Sequence, residues 1–371
     1  MKKLLLAFIS VAILLLGTVP NGSACTSFVI KTADGSPIYG RTMEWGAFDL
    51  ESELVMVPRH ISFTSELGGG KKGMSWKNKY GFVAINAVKK PFVTDGMNET
   101  GLTLGVLYFP GFAEYQALKP EEASRSLNNV DLSAYILGQF KNVAEIKTAL
   151  PKLRVVYNKD IAKVFGAPAP LHLVVTDNTG ASIVIEYVKG VLHIYENRVG
   201  VMTNSPSYDW QILNLRNYPQ LRAYGGARRR DINGVSLEPF GAGAGMRGLP
   251  GDVTPPSRFV RAVAFTATLI TPKNIDAGIN EASRILNNFD IPRGLVREGE
   301  SPSKYHLNFT QWSSIGDIKN RRYFWWTEFN RRMRMVDLKK LNFNGKKIRS
   351  IPLDRARKED VKDRTVDLTT P

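Results

Sequence analysis

One cysteine in 371 residues, standing directly behind an apolar leader, constrains this chain more than any other feature. Met1-Lys-Lys, an apolar run from Leu4 to Val19 and the short residues Asn21-Gly-Ser-Ala24 make up the charged, greasy and small-residue regions of a secretory signal peptide, residues 1–24. That reading sends the chain out of the cytosol, to a periplasm. A lone cysteine closes no intrachain disulfide, so the exported chain must be held by its core. Cleavage after Ala24 makes Cys25 the first residue of the mature protein. Thiol and free α-amine then share one Cα, and a single residue supplies both a nucleophile and its base. Reference pKa values of about 7.7–8.0 for the amine and about 8.5 for the thiol allow proton exchange near neutrality. Two blander readings stand beside this one: a small buried apolar residue, or the acylated cysteine of a non-catalytic lipoprotein that binds acyl ligands. The lipoprotein reading expects an aliphatic residue three places upstream, where this chain has Gly22. It also expects a flexible polar linker downstream, where residues 26–32 instead alternate as a strand.

Periodicity predicts mostly strands in the first half. Residues 26–32 and 38–43 flank Asp34-Gly35 as a hairpin, with further strands at 54–57, 80–87 and 102–109 and a turn at Asp95-Gly-Met-Asn98. The loop Gly68–Gly73 lacks the Gly-Lys-Ser/Thr ending of a phosphate cradle. Helices are expected at 131–140 and 144–153, then strands at 171–176, 181–188 and 191–195 around the turn Lys189-Gly190. A helix at 207–218, a Gly- and Arg-rich excursion at 228–251, helices at 255–269 and 272–289, and strands at 322–329 and 334–338 complete the pattern. No Pro- or Ser-rich linker interrupts it, so residues 25–371 form one domain with a polar tail from about 355. This pattern by itself predicts an α+β protein.

The formal charge is +16, but the basic residues come as scattered pairs such as Lys71-Lys72 and Arg331-Arg332 without a nucleic-acid motif. A solvated basic surface follows, suited to carboxylate-bearing substrates or to peripheral contact with anionic lipid. His60, His172, His193 and His306 are isolated in sequence, so neither a metal site nor another cofactor is expected.

The opening Cys25-Thr-Ser-Phe and the run Tyr39-Gly-Arg-Thr-Met-Glu-Trp45 resemble the start of the choloylglycine hydrolases, the group of penicillin V acylases and bile salt hydrolases. Downstream, Asp95-Gly-Met-Asn-Glu-Thr-Gly-Leu102, Val201-Met-Thr-Asn-Ser-Pro-Ser207 and Pro256-Ser-Arg-Phe-Val-Arg261 extend the resemblance over most of the chain. It implies a four-layer αββα sandwich of two antiparallel sheets, the N-terminal-nucleophile hydrolase fold, and a homotetramer. It also implies hydrolysis of a linear amide of a small acyl-amide substrate. By the same resemblance Cys25 is the nucleophile, Arg41 its neighbouring cation, Asn204 an oxyanion donor and Arg258 a second active-site arginine, with Arg261 the competing candidate. Glu44 stands where the family has an aspartate bonded to the α-amine. Trp45 is expected to wall the acyl pocket, and Tyr108 matches the penicillin V acylases, where bile salt hydrolases usually carry asparagine. The substrate expectation is therefore penicillin V acylase-like, with N-acyl homoserine lactones or conjugated bile salts as the alternatives.

Overall fold

A computed structural model describes residues 24–90, 92–161, 169–225 and 230–369. The leader thus lies outside the described residues, apart from Ala24. Two large sheets carry the fold, and their strands are numbered here in chain order: β1 Cys25–Lys31, β2 Pro37–Glu44, β3 Glu53–Val57, β4 Phe82–Ala87, β5 Phe92–Asn98, β6 Thr103–Tyr108, β7 Leu171–Thr176, β8 Ser182–Val188, β9 Val191–Glu196, β10 Val201–Met202, β11 Thr310–Asp317, β12 Arg322–Thr327, β13 Asn330–Asp337 and β14 Arg349–Pro352. One sheet has the order β10-β1-β2-β11-β12-β13 and the other β9-β8-β7-β6-β5-β4-β3-β14. Every neighbouring pair is antiparallel.

The β1–β2 hairpin shows why the layers form. Gly35 takes φ +77° at its turn, and the Asp34 carboxylate accepts from Thr32 Oγ1 (2.6 Å) and Ser36 N (3.2 Å). Beyond the turn, side chains alternate between faces every second residue. Tyr39 and Arg41 point at the second sheet, reaching Asp95 on β5 and the Val106 carbonyl on β6. Ile38 points the other way, packed so closely on the helix α1 (Ile275–Leu286) that a Cβ on Gly278 would lie 2.3 Å from its Cδ1. The helix α2 (Pro255–Thr268) lies beside α1 on that face. The helices at Asp131–Gln139 and Val143–Ala149 cover the outer face of the second sheet. The result is the αββα sandwich of the N-terminal-nucleophile hydrolases.

Several elements differ from the sequence expectation. Asp95–Asn98 is no turn but the end of β5, fully buried, with the chain reversing only at Gly101. The glycine loop at 68–73 tips a hairpin of Ser62–Glu66 and Lys72–Lys77. Helix α1 starts at Ile275, capped by the Asn274 side chain accepting from Ala277 N, and so leaves Pro272 outside. The strands β11 and β14 and the hairpin Val296–Ser301/Lys304–Asn308 were not expected at all.

Candidate active site

Cys25 opens β1 at 1% exposure, with its thiol on the inner face. Antiparallel register sets Cys25 opposite Met43 and Ser27 opposite Arg41, so the Arg41 guanidinium returns under the sulfur: Nη2 donates to Sγ at 3.7 Å. The same guanidinium donates to the carbonyls of Thr94 and Val106, lies 3.5 Å from Asp95 Oδ2 and sits 5.2 Å from the Trp312 ring centroid. Burial opposes its charge, but Cys25 and Asp95 outweigh that and raise the Arg41 pKa. A fixed cation beside the sulfur favours thiolate.

The backbone nitrogen of Cys25, here in peptide linkage to Ala24, donates to Asn204 Oδ1 at 2.6 Å. Asn204 Nδ2 donates to the Tyr108 carbonyl at 2.8 Å, which uses one of its two hydrogens. Arg258, fully buried on α2, ties the cluster together. Its Nη1 donates to Cys25 O (2.5 Å) and Thr26 Oγ1 (2.7 Å), its Nη2 to Asn204 Oδ1 (2.7 Å), and its Nε to Val253 O (2.9 Å). Burial lowers its pKa to about 10 against the pull of Glu44 and Cys25. Arg261 points elsewhere, donating to the Pro250 and Asp252 carbonyls, so of these two arginines it is Arg258 that lies against Cys25.

Glu44 is buried at the end of β2, where its Oε1 accepts from Thr310 Oγ1 at 2.8 Å and its Oε2 has no hydrogen-bond partner among the described residues. Burial raises its pKa to about 7, with Arg258 and the Thr42 and Thr310 hydroxyls opposing the rise. The nitrogen of Cys25 meets Asn204 rather than Glu44. Trp45 and Tyr108 meet edge to face at 5.6 Å, and Trp45 meets Phe48 in the same way at 5.6 Å. They form one aromatic wall. Burial raises the Tyr108 pKa to about 12, so its phenol stays protonated.

Sequence reasoning missed Asp95. All of its side chain is buried, and Tyr39 OH (2.8 Å), Ser314 Oγ (3.0 Å) and Tyr323 OH donate to it beside Arg41. The signal was a carboxylate inside a β-rich run, which the neighbouring Gly96 and Asn98 disguised as a turn.

The model of the linear amide C–N hydrolases, choloylglycine hydrolase family, matches residues 25–351 and so begins at the cysteine itself. The chain belongs to the choloylglycine hydrolase family. It is 31% identical to the bile salt hydrolase/transferase of Clostridium perfringens over 329 residues, 88% of this chain and 96% of that protein. It is also 29% identical to the penicillin V acylase of Pectobacterium atrosepticum over 341 residues, 86% of this chain and 82% of that one. The crystal structure of a variant conjugated bile acid hydrolase from Clostridium perfringens superposes with a TM-score of 0.79 at 28% identity, covering 92% of this chain and 99% of that chain. The penicillin V acylase from Agrobacterium tumefaciens gives 0.71 at 25% identity over 89% and 92%. Family membership makes the protein a linear amide C–N hydrolase.

Proposed function

We propose that this family member is an exported cysteine amidase of the penicillin V acylase type. The observation that carries the reading is the Arg41 guanidinium 3.7 Å from the one thiol, beside the Trp45–Tyr108 wall. Removal of residues 1–24 turns the Cys25 peptide nitrogen into an α-amine. That amine takes the thiol proton, the thiolate attacks the acyl carbon, and Asn204 with a backbone N–H holds the oxyanion. The ammonium then protonates the departing amine, leaving a thioester. Water hydrolyses the thioester, releasing the acid and restoring the thiol. Glu44 Oε2, buried and unpaired, is the acceptor in this reading for the hydrogens that cleavage adds to the nitrogen.

A flat aromatic wall favours aryl or linear acyl groups over a sterol. The bile salt reading rests on the Clostridium perfringens relative, which is matched over 96% of its length. Side-by-side kcat/KM on penicillin V, long-chain N-acyl homoserine lactones and a conjugated bile salt is expected to rank the bile salt last. A bile salt favoured tenfold or more, about 1.4 kcal/mol in transition-state binding, would reverse the assignment.

Assembly and surface contacts belong to the same proposal. The excursion between 218 and 251 exposes Tyr224 (80%), Val235, Leu237 and Phe240 (97%), the kind of apolar surface that a tetramer covers. Strands β13 and β14 end on one side of the sandwich, since Trp325 Nε1 donates to Leu353 O and Asn330 Nδ2 to Lys358 O. There Lys339, Lys346, Lys347, Arg349 and Arg355 are exposed, a basic edge suited to anionic lipid. No helix among the described residues is long and apolar enough to cross a membrane. Protein from the exported fraction is expected to begin at an unmodified Cys25 by intact mass. It should sediment as a tetramer and pellet with phosphatidylglycerol vesicles but not with phosphatidylcholine vesicles. A diacylglyceryl-modified cysteine, a monomer, or pelleting indifferent to lipid charge each removes the corresponding part.

A further inference from the structure

His172 and Glu186 form a completely buried pair that the chemistry above does not use, yet both of their ends lead to Asn204. His172 stands on β7 and Glu186 on β8, adjacent antiparallel strands. The imidazole Nδ1 lies 3.1 Å from Glu186 Oε1, and Nε2 lies 2.9 Å from the Thr203 carbonyl. That carbonyl belongs to the peptide bond whose nitrogen is Asn204's own. A carbonyl oxygen only accepts, so Nε2 donates. Glu186 also accepts the Tyr208 N–H, at 3.1 Å on Oε1 and 3.3 Å on Oε2, so a single proton bridges Nδ1 and Oε1 and ties the ring to the backbone of residue 208.

The pair is joined to the site from two more directions. Phe109 stacks on the imidazole with ring centroids 4.2 Å apart and planes 13° apart, and it follows Tyr108, whose carbonyl takes the Asn204 side-chain amide. Tyr208 opens the short helix Tyr208–Asn214, from which Gln211 Nε2 donates to Asn204 O at 3.3 Å. Histidine, glutamate and phenylalanine therefore fix the backbone before Asn204, the helix after it and the strand end that receives its amide.

We propose that His172 and Glu186 are positioning residues for Asn204, acting as a buried hydrogen-bonded pair. The inference rests on the reading of Asn204 as a member of the reaction centre. Misplacement of a reacting group by about 1 Å can cost on the order of a hundredfold in rate. A core histidine satisfied by its neighbours would set stability alone. In His172→Gln the side chain still reaches Thr203 but offers no second N–H to Glu186. Its kcat on the amide that the wild type hydrolyses is expected to fall tenfold or more, with KM within threefold and the near-ultraviolet dichroism native.

Glu186→Gln is expected to give the same split. The double change to glutamine should cost no more than either single one, because one pair is being removed. Nitrogen-15 histidine spectra of the wild type should show one ring whose Nε2–H is protected from solvent exchange, as donation to the buried Thr203 carbonyl requires, and Glu186→Gln should weaken that protection. The proposal fails if no histidine ring shows a protected Nε2–H, or if a natively folded His172→Gln or Glu186→Gln variant keeps kcat within twofold. The spectra need no turnover, so wild-type inactivity would count against the site reading while the pair is judged on its protons.

Discussion

Cys25→Ser is expected to lower kcat/KM at least about a hundredfold while the protein keeps its fold, because the change spares every contact except the sulfur's. The serine hydroxyl occupies the same buried position at the start of β1, and the backbone bonds to Asn204 and Arg258 do not involve the side chain. What changes is the acidity of the nucleophile. Thiols as a class are acidic enough to supply thiolate near neutrality, whereas an alcohol supplies almost no alkoxide there. The α-amine remains in the variant, so residual activity would report what the amine achieves as a base on oxygen. Steady-state kinetics with matched melting temperatures make the measurement. Activity within tenfold of wild type would mean that the thiol is not the attacking group.

The hairpin and the site were legible in the sequence to different depths. Strands β1 and β2 could be read because apolar alternation, the Asp-Gly turn and β-branched residues agree there. Cys25 could be read as a nucleophile because the leader gave its position a chemical meaning. Asn204 and Arg258 are different, since each stands in a segment that local chemistry explains equally well as a turn or a helix face. Only the resemblance set them beside Cys25, and the elements that bring them there, β10 just before Asn204 and α2 carrying Arg258, lie far along the chain. His172 was dismissed as isolated because its carboxylate partner is 14 residues away, across a strand pair, and carries no motif.

The largest omission, β11, has a physical cause. Thr310-Gln-Trp-Ser-Ser-Ile-Gly-Asp317 is buried along its whole length, yet its polar and small residues give little strand signal. Its polar groups are buried because neighbours on several sides supply partners: Ser314 donates to Asp95 on the second sheet, Thr310 to Glu44 on the adjacent β2, and Gln311 Nε2 to the carbonyls of Trp45 and Phe48 just beyond β2. Gly316 leaves room for Thr103 and Met97, which would lie 3.1 and 3.0 Å from a Cβ there. A central strand built to satisfy a buried polar site looks, in one dimension, like a loop.

Asp95→Ala is expected to destabilise the fold by about 3–5 kcal/mol, the cost of breaking a buried ion pair by removing one partner. That is a large fraction of the roughly 5–15 kcal/mol that holds a typical domain. The carboxylate accepts from three hydroxyls, Tyr39, Ser314 and Tyr323, and faces the Arg41 guanidinium, all of them buried. Alanine leaves those donors without an acceptor and the guanidinium without its counter-charge, in a place that water does not reach. Burial by itself raises the Asp95 pKa, and the arginine and the hydroxyls are what oppose that rise. The thiol should feel the loss as well, because an Arg41 released from Asp95 no longer holds Nη2 under the sulfur. Alkylation of Cys25 is therefore expected to slow along with the fall in the urea midpoint. Adding Arg41→Met should recover part of the stability, since an apolar side chain of similar length removes the stranded charge, but it should recover none of the thiol reactivity. A loss below about 1 kcal/mol in Asp95→Ala, with alkylation unchanged, would show that Thr94 and Val106 alone hold the guanidinium and that the carboxylate has no part in arming the nucleophile.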